Sequence, residues 1–155
     1  MDQVKRQLLA VIDEALKGPP ERFAYFSDRG RPAGLIEILQ SIDAASASRI
    51  VGTTSIASHV NHLAFAADAS ARFVDGNTTR VAWEDSWAVS SVDAKDWSQL
   101  IEDLSNAVSR SKIAIESGFA QSERSIGTAL GAAAHLAYHL GAIRQKLRVP
   151  EDRDT

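Results

Sequence analysis

The chain has 155 residues, a length that suits a single domain, 1–155, able to bury a core without covalent staples. It has no cysteine, which excludes disulfides and thiolate ligands and leaves imidazole, carboxylate and water for any transition metal. A formal net charge of −3, with both signs interspersed, offers neither a basic patch for nucleic acid nor a polybasic membrane anchor, so neither partner is expected.

The opening MDQVKRQLL is charged at once, without the apolar core of a signal peptide. No apolar run approaches the length of a membrane span, and a cytoplasmic location is expected. Val4, Leu8, Val11, Ile12, Ala15 and Leu16 recur at three and four, which predicts an amphipathic helix over 2–17 with Asp2 as its cap. Gly18-Pro19-Pro20 stops it, since glycine tolerates a left-handed exit and proline lacks an amide donor. Phe23, Tyr25 and Phe26, followed by the turn-like Asp28-Arg29-Gly30-Arg31-Pro32, read as a loop whose rings plug one end of a helical core.

Leu35, Ile38, Leu39 and Ile42 predict one short helix that fades into a small-residue tract at 43–48. Gly52 then gives a break and Thr53-Thr54 a hydroxyl cap, and 55–74 runs without glycine or proline as a second main helix. Residues 78–92 alternate Val81, Trp83, Trp87, Val89 and Val92 with polar residues. With no second strand-like run to pair with, they are expected to form a crossover between helices. Asp93 caps a third main helix whose face is Trp97, Leu100, Leu104, Ala107, Val108 and Ile115, ending at Gly118. The last helix is expected over 125–147, slim with alanine and glycine, its Arg144, Lys146 and Arg148 opposing the negative end of the dipole. The pattern predicts an all-α fold, a four-helix bundle with a long crossover and one extra short helix.

All four histidines fall on two of these helices. His135 and His139 stand one turn apart, about 40° around the axis, so both imidazoles can approach one ion. His59 and His62 are separated by about 60° on the second main helix. Two histidines of the last helix and one of the second would converge on a metal in a bundle interior, with positions left open for water or substrate. Geometry alone leaves both His59 and His62 as the third donor.

The run Ser55-Ile56-Ala57-Ser58-His59-Val60-Asn61-His62-Leu63-Ala64, followed downstream by His135-Leu136-Ala137-Tyr138-His139-Leu140-Gly141-Ala142-Ile143, resembles the DinB/YfiT-like family of metal-dependent proteins. The resemblance covers most of the chain in element order, including the tryptophan-bearing crossover. It implies a four-helix bundle holding a divalent transition metal, zinc or nickel, on His62, His135 and His139. One departure is Ala142, where many relatives carry glutamine after the glycine. The resemblance further implies a homodimer and a small-molecule substrate such as a low-molecular-weight thiol.

Two classes of function follow. In an enzyme the metal would activate water or a thiol for transferase, isomerase or hydrolase chemistry, with His59, or a carboxylate such as Glu84 or Asp85, moving the proton. In a non-enzymatic metal-binding or stress-response protein the same histidines would hold an ion without turnover. Structural zinc sites usually have four protein ligands, and three histidines favour the first class.

Overall fold

The protein is represented by a computed structural model that describes residues 1–20, 23–27 and 33–150. Six α-helices and one 3-10 helix, with no strand, account for the regular structure among the described residues. Helix α1 (Asp2–Lys17) buries Leu8, Ile12, Ala15 and Leu16. Asp2 lies inside its first turn, with Met1 at the cap position, so the carboxylate faces the positive end of the dipole and makes no cap hydrogen bond. Gly18 ends the helix at φ 93°, a conformation that favours glycine. Gly34 packs so closely on Lys17 and Gly18 that a Cβ there would collide with their backbone.

Two short helices stand where one was expected. Helix α2 (Leu35–Gln40) ends at Ser41, and α3 (Ala44–Ser48) begins at once, because the Asp43 side chain accepts from the Ser46 amide at 2.8 Å and restarts the helix. Helix α4 (Ile56–Val74) is capped by Ser55 rather than Thr54, in a reciprocal box with Ser58, which leaves the Thr54 hydroxyl free for another partner. Residues 78–92 form the expected crossover, stiffened by the 3-10 helix Trp83–Trp87. Its far end is pinned where the Val92 amide donates to Ser48 Oγ at 3.0 Å.

Helix α5 (Ala94–Gly118) has the Asp93 cap, with Asp93 accepting from the Asp96 amide at 2.8 Å. Helix α6 (Glu123–Arg148) starts earlier than expected because Ser122 and Ser125 form a second reciprocal capping box. The cations near its end do more than oppose a dipole. Arg144 donates to the Ala33 carbonyl, Lys146 to those of Val51 and Thr54, and Arg49 caps α6 through the carbonyls of Lys146 and Val149. Segment 49–54 is thereby fastened to the end of α6.

Helix α4 packs against both α5 and α6, and α6 also packs on α1. Their shared interior holds Ile12, Val60, Leu63, Leu104, Ile115, Leu140 and Ile143, each contributing about 1.5–3 kcal/mol on full burial. Contrary to the sequence reading, α6 is long and apolar enough to cross a membrane by length and composition, through one 18-residue window of mean hydropathy 1.2. It presents Ala129, Ala133, Leu136, His139, Leu140 and Ile143 inward, and 33% of that window is buried.

The aromatic segment after α1 does not plug the core. Phe23, Tyr25 and Phe26 are exposed. What holds 23–27 is Glu14, 1% exposed, whose carboxylate accepts from the amides of Tyr25, Phe26 and Ser27 and from the Ser27 hydroxyl at 2.6–2.9 Å. The turn expected at 28–32 lies outside the described residues.

Candidate metal centre

Helices α4 and α6 pack together and bring all four histidines into one cluster. His59, His62 and His139 are buried and His135 is half-buried. His135 Nε2 lies 3.1 Å from His62 Nε2 and 2.9 Å from His139 Nε2. One ligand atom from each of the three falls within 4.8 Å of the others. Two nitrogens bound to one zinc at about 2.0–2.1 Å can be no more than about 4.2 Å apart, and both measured Nε2 pairs meet that limit. His62, His135 and His139 are therefore close enough to hold a metal ion.

The crossover orients His62. Ser86, fully buried, places Oγ 2.7 Å from His62 Nδ1 and 2.6 Å from the Trp83 carbonyl. A carbonyl only accepts, so the single hydroxyl proton goes to Trp83 and Oγ accepts from His62 Nδ1–H. That tautomer leaves a lone pair on His62 Nε2, directed at His135. Asn61 Nδ2 donates to the Ser86 carbonyl at 2.7 Å and fixes the turn against α4.

His59 does not join the three converging nitrogens; it stands behind His139. The two Nδ1 atoms are 2.7 Å apart, and His59 Nε2 is 3.1 Å from Thr54 Oγ1. One Nδ1 of the pair must carry the proton. When it is on His139, the His139 Nε2 lone pair faces the cluster and His59 Nε2–H meets the threonine. Thr54 is held in turn by Lys146 on its carbonyl at 2.8 Å.

Burial is the main cause that lowers all four imidazole pKa values. It takes His59 and His62 from 6.5 to about 4 and His139 to about 3, with His135 lowered too. Neighbouring charge adds to this, from Lys146 on His59 and from the other histidines on His139. At neutral pH the cluster is uncharged, the form that ligates metal.

Trp87 stacks on His62 with centroids 4.1 Å apart and meets His59 edge-on at 5.5 Å, while Trp83 lies 6.4 Å from His62. Among the described residues no ring of 23–26 pairs with a histidine. Glu84 and Asp85 are exposed and make no hydrogen bond or ion pair to a histidine among the described residues. The 3-10 turn carries Ser86 inward to His62 and leaves the two carboxylates exposed.

No family model, curated protein or solved structure matches the chain. The chemistry of the centre is carried by its side chains. Ser86 and Asn61 had no sequence signal of their own, because their roles arise only when 83–87 winds into a 3-10 helix over α4.

Proposed function

We propose that the chain is a metal-dependent enzyme of the DinB/YfiT-like kind. On this reading α1, α4, α5 and α6 are the four helices of its bundle, and residues 78–92 are the crossover. The observation that carries the reading is the convergence of three neutral imidazoles through Nε2, with the Nδ1 atoms of His62 and His139 engaged by Ser86 and His59. Histidine ligands characteristically donate their second nitrogen to such a partner. The ion we assign is zinc or nickel, on His62, His135 and His139. When bound, it supplies Lewis acidity and lowers the pKa of water or of a small thiol.

The chain's own residues supply the rest. We assign His59 as the proton carrier because, among the described residues, it is the one titratable side chain that stands directly behind the three ligands, between His139 Nδ1 and Thr54 Oγ1. Trp83 and Trp87 limit water at the cluster and leave His135 as the accessible side. The substrate class we assign is a small molecule, with a low-molecular-weight thiol as reactant.

The test is turnover of metal-loaded protein against thiol cosubstrates, alongside His62→Ala and His59→Ala. His62→Ala should lose metal and activity together, whereas His59→Ala should keep the ion at saturation and lose activity. Loss of metal in His59→Ala and retention in His62→Ala, with both still helical by circular dichroism, would reassign the third ligand to His59. Full loading without turnover would leave a metal-binding protein that is not an enzyme.

A further inference from the structure

Beside His135 the helices leave a narrow, partly open cavity of about 10 Å³, walled by apolar side chains such as Leu63 and Val108 and reached by Ser70, Ser111 and His135. Ser111 is 3% exposed and its Oγ has no hydrogen-bond partner among the described residues. Three other serines of α5 behave differently. Ser98, Ser109 and Ser117 each donate back to the carbonyl four residues earlier, at 2.8–3.0 Å. Ser111 makes no such bond, and it lines the cavity instead. A buried hydroxyl left unpaired is unfavourable, and a cavity this size, about one probe sphere, holds one water when two or more polar groups face it.

His135 shows the matching need. His62 Nδ1 meets Ser86 and His139 Nδ1 meets His59, but no hydrogen bond reaches His135 Nδ1 among the described residues. Of the three histidines, the one without a direct orienting partner is the one that borders the cavity with the orphaned hydroxyl. We infer that a single water sits in this cavity, accepts from His135 Nδ1–H and is held by Ser111 Oγ, with Ser70 on its third side. Ser111 is then a positioning residue: it acts on the metal centre through the water by fixing the His135 tautomer with Nε2 bare. The role in metal binding rests on the proposed function above, while the water itself does not.

The two parts are tested separately. A crystal structure of the metal-free wild type at about 1.5 Å should show a solvent peak within about 3.2 Å of both Ser111 Oγ and His135 Nδ1. A cavity without density, or a water touching Ser111 and not His135, would overturn the inference. In solution, Ser111→Ala should weaken zinc affinity about 10-fold while the metal-free melting temperature stays the same or rises. A hydroxyl with a merely structural role would move the melting temperature and leave zinc affinity unchanged, and that result would overturn the positioning role. If the wild type binds no zinc, the metal reading fails and the solvent peak alone decides the water.

Discussion

Residues 23–27 and 83–87 are the two aromatic-rich connections of the chain; from sequence the first reads as a plug for one end of a helical core and the second as part of a crossover. The first leaves Phe23, Tyr25 and Phe26 exposed and is held through its backbone by Glu14. The second lays Trp87 flat on His62 and sends Ser86 inward to its Nδ1. The difference lies in where the polar partner sits. In the first, a carboxylate from α1 reaches up and gathers amides; in the second, a serine of the connection reaches down to a functional ring. Aromatic content states that a segment has something to bury. The short polar residues beside it decide where it goes.

Removing the anchor of the first region should have the largest effect on stability. Glu14→Ala leaves three amides and the Ser27 hydroxyl without their shared acceptor and should cost about 2–4 kcal/mol, read by urea denaturation. Zinc affinity should not change, because none of those bonds touches a histidine. A parallel loss of affinity would break the separation between the two regions.

The second region should respond in the opposite sense. Ser86→Ala removes the acceptor of His62 Nδ1–H and should weaken metal binding about 10–100-fold, with only a small change in unfolding free energy. Trp87→Ala, which removes the ring stacked on His62, should cost about 1 kcal/mol of stability and leave affinity closer to wild type. Equal affinity losses in the two variants would mean that the cover, rather than the serine, sets the ligand.

Acid separates the regions without mutation. The histidines have folded pKa values below 6.5, so the unfolded chain binds more protons between 6.5 and about 4. Their contribution is present above pH 6.5 and is lost as pH falls through that window. At Glu14, burial alone would raise the carboxyl pKa, but the bonds from Ser27, Tyr25 and Phe26 outweigh it and the pKa is lowered. Its contribution should persist until the ordinary carboxylate range, 4.5, and be lost below it. Metal-free protein should therefore lose stability in two stages as pH falls, the histidine stage first. In Glu14→Ala the histidine stage should remain and the second stage should shrink to what Asp13 and Asp43, whose pKa values are also lowered, still supply.

Much of this architecture was legible in the chain. The long helices declared themselves through apolar spacing and through punctuation at Gly18, Asp93 and Gly118, and one-turn spacings on two facing helices pointed to His135 and His139 with one histidine of α4, whereas the choice of His62 over His59 came from the family resemblance. Three features were not legible, for physical reasons. Asp43 sits in a tract of small residues that reads as a fading helix, yet one side-chain bond to Ser46 starts a new one. Glu14 looks like an ordinary charge of an amphipathic helix until the chain returns with three consecutive amides. Ser86 acts only through a 3-10 turn, whose period of three no apolar pattern announces.

The central claim is that His62, His135 and His139 form one metal site, and calorimetric titration of zinc into metal-free protein purified without nickel resin tests it most directly. The account predicts one saturable site of micromolar affinity or tighter, filled by about one ion per chain and emptied on acidification, and it predicts that His135→Ala loses most of that affinity while keeping its helical content. The absence of saturable binding at micromolar zinc in folded wild type, or undiminished binding in His135→Ala, would contradict it.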